Sequence, residues 1–286
     1  MEHSDAGFGW DGELLDLDAY LARIGFDGDL APTVETLRAL HFGHVSTIPF
    51  ENVDILLGRT LRLDVAGLQD KMVRRPRGGY CYEHVKLFAA ALERLGFGVT
   101  GIASRVRMAT GKLRPATHAL VHVETAETSD TGRLWLSDIG FGGGPLGPIE
   151  LLDGAESSRG GWHYRLELQT SGPGVEQWVL HTLREDGWFD LHGFTLDPHY
   201  SVDFDVINHY TATDPRSPFV GRLFVQQMRP QVTYLLDRTE LTALYPDGSA
   251  DRRRLEPGEL PKTLEEVFGI GLDAEESAAL TVAARA

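Results

Sequence analysis

Cysteine is nearly absent: Cys81 is the only one in 286 residues. That excludes an intramolecular disulfide and any multi-cysteine zinc site, and it suits a reducing compartment. No stretch approaches the roughly 18 apolar residues that a membrane helix needs. The opening Met1-Glu2-His3-Ser4-Asp5 is acidic and polar, without the apolar segment of a signal peptide. Basic residues are outnumbered, 27 Lys and Arg against 42 Asp and Glu, giving a formal net charge of -15. Such a surface is not built for nonspecific binding to nucleic acid or anionic membrane. An anionic small molecule would have to be met by local cations such as Arg74, Arg75 and Arg77, whereas Arg252-Arg253-Arg254 reads as a solvated patch. Repeats and low-complexity tracts are missing as well. These absences describe a cytoplasmic protein with no nucleic-acid and no membrane partner.

What is present begins with helical spacing. Leu17, Tyr20, Leu21 and Ile24 share one face and end at Gly25, Pro32 opens a second helix with Val34, Leu37 and Leu40, and Val65, Leu68 and Met72 mark a third. Val85, Phe88, Leu92 and Leu95 form a further stripe that stops at Gly96. Between the second and third helices, Ile48 to Asp54 contains Pro49 and is expected to run extended. From Gly98 the period becomes two, through Ile102 to Met108, Ala119 to Val123, Leu134 to Leu136, Tyr164 to Leu168, Gln177 to Leu183 and Gly187 to Phe194. Turn clusters such as Ser171-Gly172-Pro173-Gly174 separate these runs, so an antiparallel sheet or barrel is expected. Gln231 to Leu236 and Glu240 to Tyr245 read as another hairpin, and Lys262 to Phe268 and Asp273 to Ala284 as helices packed over the sheet. The stretch from Asn208 to Arg229 has no clear period.

The lone cysteine falls just where its helix begins. Unpaired N-H groups and the helix dipole there favour an anion, and a thiol must ionise to become a good nucleophile. Gly78-Gly79, just upstream, permits a tight turn or close backbone approach. A lone intracellular cysteine is otherwise a small buried core residue, so a reactive one needs partners. His118 begins one predicted strand and Asp138 ends the next, with the polar stretch from Glu124 to Gly132 between them. In a hairpin centred on that stretch the two face each other across the strands, within reach of a carboxylate-imidazole hydrogen bond. A carboxylate that fixes one imidazole nitrogen leaves the other to exchange a proton with a thiol. His122 lies four residues after His118, but on a strand that spacing does not converge on a metal, and none is expected. The loop Ile139 to Pro145 is rich in glycine and fits neither nucleotide motif; it is either a plain turn or a set of N-H groups facing an anion or thioester oxygen.

Arg77 to Glu83 resembles the active-site motif of the arylamine N-acetyltransferases. So do Ile48 to Asp54, Thr117-His118, Leu136 to Gly143, and Asn208 to Phe219, in the order the family has them. The resemblance implies an α+β fold with a papain-like Cys-His-Asp core: an N-terminal helical bundle (1-97) carrying the nucleophile, an antiparallel β-barrel (98-205) carrying His and Asp, and a C-terminal α/β lid (206-286). It implies Cys81, His118 and Asp138 as the triad, Phe50, Tyr82, Val106, Phe141 and Phe219 around the acceptor, and Thr117, Gly142 and Gly143 near coenzyme A. The activity it implies is ping-pong transfer of an acetyl group from acetyl-CoA to arylamines or arylhydrazines, as in xenobiotic metabolism, with no metal, by a monomer or weak homo-oligomer. Related uses of the same site are a macrolactam-forming amide synthase of polyketide biosynthesis and a thiol hydrolase of papain or transglutaminase type. One departure from the pattern is Val85, where the family often has Asn.

Overall fold

In a computed structural model, residues 9–108, 111–171 and 174–285 are described. Met1 to Asp5, and Gly172 and Pro173 of the expected turn, lie outside them. Five helices build the first part: α1 (Leu17–Ile24), α2 (Val34–Thr47), α3 (Val53–Leu56), α4 (Val65–Leu68) and α5 (Cys81–Arg94). Three of these are closed at the N-terminus as their sequences require, Asp16 accepting from the Ala19 amide, Thr33 from the Thr36 amide and Asp64 from the Gly67 amide. Helix α5 is central rather than amphipathic: every residue from Cys81 to Leu92 is buried. Its polar members are therefore matched, Glu83 by Lys71 at 2.8 Å, Lys86 by Asp205 at 3.2 Å, and His84 by His44 at 2.8 Å. Val85 joins the apolar interior, fully buried.

An eight-stranded antiparallel sheet follows, curled into a nearly closed barrel. Its strands are β2 (Gly98–Val106), β3 (Ala116–Glu124), β4 (Trp135–Ser137), β5 (Ile149–Glu150), β6 (Glu156–Arg159), β7 (Trp162–Ser171), β8 (Val175–Arg184) and β9 (Gly187–His199). They run in the order β5-β4-β3-β2-β9-β8-β7-β6, and a one-turn helix α6 (Thr128–Thr131) links β3 to β4. Helix α7 (Ser201–Thr213) leads to the second sheet, which holds β10 (Phe224–Arg229), β11 (Val232–Asp237), β12 (Glu240–Leu244) and β13 (Ala250–Arg254). Helices α8 (Leu260–Phe268) and α9 (Ala274–Ala283) close the chain. Gly269, at φ 67°, ends α8 where the sequence expects it.

The fifth strand of the second sheet comes from far upstream. Residues Phe50–Glu51, strand β1, pair with Gln226 and Val225 of β10, and the Glu51 amide donates to the Gly79 carbonyl. Of the connector expected to be extended, Phe50 and Glu51 form the strand while Val53 and Asp54 already belong to α3, and the piece straps the segment before Cys81 to the last sheet. Asn52 fastens it: its side-chain amide donates to the carbonyls of Phe219 (2.9 Å) and Arg222 (2.7 Å), and its oxygen accepts from the Phe224 amide (2.7 Å). A buried charge cluster fastens it again. Arg77, 1 % exposed, meets Glu51 at 2.8 Å, Asp54 at 3.2 Å and, on α9, Glu276 at 3.3 Å. Gly78 fits only as glycine, since a Cβ would lie 2.0 Å from the Pro49 carbonyl oxygen.

Candidate active site

Cys81 is the first residue of α5, and Tyr80 caps the helix through its amide, which donates to Glu83 Oε2 at 3.0 Å. Lys71 fixes the other oxygen of Glu83 at 2.8 Å, so the turn that presents the sulfur is held at both ends. The amides of Ala119, Tyr82 and Cys81 itself approach the sulfur and favour its anion, but burial outweighs them and pushes the thiol up to about 12. A solitary thiolate is therefore unfavourable here. Ionisation has to be paired with a cation.

His118 stands on β3, beside a bulge at Thr117 where the register against β2 shifts between Ser104 and Arg105. The Thr117 carbonyl lies 3.9 Å from the Cys81 sulfur. His118 Nε2 donates to Asp138 Oδ1 at 2.9 Å. The pairing differs from the direct cross-strand opposition expected of these two residues. Val121 faces Ser137 and His122 faces Leu136, a register two residues away from a hairpin centred at 128, and Asp138 lies just beyond the end of β4. The connection is asymmetric because it holds the turn α6 and its left-handed Gly132. Since side chains alternate with a period of two, a two-residue slip keeps the face, and a diagonal neighbour is still within reach. Burial alone would push the Asp138 carboxyl up; the charge and hydrogen bonds of His118 and His192 overcome it and hold the group below the usual carboxylate range.

Cys81 and His118 open onto one cavity of about 1440 Å³ between barrel and second sheet. Phe50, Val106, Phe141 and Phe219 line it, as do Thr117 and Gly143. Phe50 and Phe219 are 5.7 Å apart between ring centroids, and Phe141 stands edge-on to His118 at 5.0 Å. Two expected members sit elsewhere. Tyr82 is 1 % exposed and packs away from the cavity against Tyr80 and Phe204, so only its amide faces the sulfur. Gly142, at φ 83°, lies behind the wall, where a Cβ would meet Gln226 and Phe50. The glycine loop has a different constraint at Gly140, whose Cβ would come within 2.8 Å of the Cys81 Cα.

Sequence reasoning missed three contributors. His192 on β9 donates from Nε2 to the second oxygen of Asp138 at 2.8 Å. Phe224 adds a third ring beside Phe50, at 5.8 Å, and Asn52 holds its strand in place. Nothing local marks His192 among eleven histidines, and the register shift between Ile102 and Ser104 in the β2-β9 pairing hides its position from spacing arguments. Asn52 was within a motif but carried no signal beyond it.

A helical bundle that brings a cysteine at a helix N-terminus against a barrel bearing a hydrogen-bonded His and Asp is the architecture of the papain-like α+β proteins. Comparison with known proteins narrows this. The N-acetyltransferase family model matches residues 33–277. An arylamine N-acetyltransferase of Escherichia coli is 35% identical over 261 residues, covering 90% of this chain and 89% of the other. The crystal structure of Nocardia farcinica arylamine N-acetyltransferase superposes with a TM-score of 0.92 at 53% identity, covering 97% of each chain. That of the Mycobacterium marinum enzyme in complex with CoA does so at 0.84 and 30% identity, over 94% of this chain and 98% of the other. The chain belongs to the arylamine N-acetyltransferase family and is an acetyltransferase.

Proposed function

We propose that the protein moves an acetyl group from acetyl-CoA, through the Cys81 sulfur, to the amino group of a small aromatic amine or hydrazine. The observation that carries this reading is that the sulfur, His118 and the aromatic walls share one cavity, while Asp138 holds the far nitrogen of His118. With Nε2 engaged, Nδ1 is the nitrogen left to take the thiol proton. The resulting thiolate-imidazolium pair avoids the isolated buried anion. The sulfur attacks the thioester carbonyl, the carbon-sulfur bond to CoA breaks, and CoA leaves with the proton from His118. The amine then attacks acetyl-Cys81, gives its proton to His118, and the amide departs as the Cys81 thiolate reforms. The amides at the start of α5 are placed to hold the oxyanion of both additions.

The cavity exceeds the roughly 300–1,000 Å³ of a drug-sized site, which suits a pantetheine arm beside Thr117 and Gly143 together with a flat ring among Phe50, Phe141 and Phe219. The CoA complex of the M. marinum relative supports the donor, and its relatives' names support the acceptor. Among the described residues no helix is long and apolar enough to cross a membrane. A reducing compartment such as the cytoplasm keeps a lone thiol of this kind available. Mass spectrometry after incubation with acetyl-CoA alone is expected to show one added acetyl group, on Cys81. Undiminished arylamine acetylation by the Cys81→Ala variant refutes the reading, and steady loss of acetyl-CoA at the wild-type rate without any amine points to hydrolysis.

A further inference from the structure

The Asp138 carboxylate is held from both sides. One oxygen accepts from His118 at 2.9 Å and the other from His192 Nε2 at 2.8 Å. His192 in turn meets Ser104 Oγ through Nδ1 at 2.7 Å, and it is fully buried, with its ring 4.9 Å from that of His118 and 5.1 Å from that of Phe141. Asp138 follows the last residue of a three-residue strand, so its own backbone does little to fix its orientation. We infer that His192 is a positioning residue for the acetyl transfer, aiming the Asp138 carboxylate at His118, with Ser104 selecting the tautomer that lets it do so. The inference rests on the reading that Cys81, His118 and Asp138 act together.

Proton counting makes Ser104 part of the device. Burial lowers the pKa of His192, and Asp138 and His118 are the titratable groups that act on it. The imidazole is then neutral near pH 7, with one N-H. Asp138 can only accept, so that N-H must be on Nε2, and Nδ1 must accept from the Ser104 hydroxyl. Ser104 Oγ also lies 3.1 Å from the Gly193 carbonyl, but its single proton cannot serve both. A neutral His192 leaves the full negative charge of Asp138 to stabilise an imidazolium at His118. Without its N-H, Asp138 keeps a buried oxygen unsatisfied and loses its aim.

The test is the rate of Cys81 alkylation by iodoacetamide from pH 5 to 9, which reports the reactive thiolate without either substrate. His192→Phe is expected to slow alkylation about tenfold or more near pH 7 and to move the pH profile upward, while His192→Gln, which restores a donor, recovers most of the rate. Ser104→Ala is expected to slow it several-fold, and it decides the matter if His192→Phe does not fold. A wild-type profile in His192→Phe, an equally slow His192→Gln, or a wild-type rate in Ser104→Ala overturns the inference. If the wild-type protein itself reacts no faster than free cysteine, the failure belongs to the triad reading instead.

Discussion

Lowering the pH from 7.5 to 5.5 should cost this protein a large part of its stability, because it buries histidines where burial disfavours their charged form. His84 Nε2 faces the Pro49 carbonyl at 3.2 Å and must donate; its Nδ1 then accepts from His44 Nε2 at 2.8 Å, and His44 Nδ1 accepts from the Tyr20 hydroxyl at 2.8 Å. An added proton on His84 Nδ1 would set N-H against the His44 N-H, and charging either ring meets the cost of burial. His41 is similarly engaged, with Nε2 2.9 Å from the Pro145 carbonyl and Nδ1 2.8 Å from Ser137 Oγ. Burial lowers His41 and His84 to about 4 and His44 well below its ordinary value. Above an unfolded pKa of about 6.5 these groups are neutral in both states and contribute no pH dependence. As the pH falls through that value the unfolded chain takes up protons that the folded chain refuses, and stability falls until about pH 4. At pH 5.5 each such histidine costs about 1.4 kcal/mol, so His41 and His84 together remove about 3 kcal/mol. His44 and His192 add to this in the same direction. Asp54 and Asp138, with depressed pKa values, withdraw stability only below the usual carboxylate range of about 4. Glu83, which burial pushes up, opposes the histidines. Urea unfolding followed by far-UV circular dichroism at half-unit steps is expected to show a plateau above pH 7 and a steep fall below pH 6.5. A free energy unchanged between pH 7.5 and 5.5 refutes the assignment of these rings as neutral and fully engaged.

Two substitutions probe the supports of the sulfur. Glu276→Ala removes one of three carboxylates from buried Arg77 and is expected to cost about 3 kcal/mol in urea unfolding; a loss below a few tenths would mean that α9 contributes no anchoring. Gly140→Ala places a Cβ 2.8 Å from the Cys81 Cα, so Cys81 or the glycine loop must yield. Its kcat/KM for arylamine acetylation should fall about a hundredfold with little change in circular dichroism, and unchanged kinetics would show that the loop moves freely.

Much of the site was legible because it depends on local rules. The helix after Cys81 announced itself by its stripe and Gly96, and alternation put His118 and Asp138 on one face even though the register slipped by two. A face is a property of parity, which survives such a slip. Positions that depend on bulges are not legible in this way, and His192 reaches Asp138 across the irregular pairing of β2 and β9. Tyr82 belongs to the motif, yet it follows Cys81 on a helix buried on all sides, and its ring turns inward. The segment from Asn208 to Arg229 has no single period because it spans the end of α7, an irregular turn and β10.

The strap at Phe50–Glu51 also sets a schedule. Its partner strand in the second sheet is β10, about 175 residues further along, and a later clasp on Arg77 is Glu276. A ribosome will have finished the helix bearing Cys81 long before it supplies the strand and carboxylate that complete the cavity wall. Contacts this distant in sequence form slowly. During synthesis Cys81 therefore waits on an unfinished surface until β10 and α9 have been made.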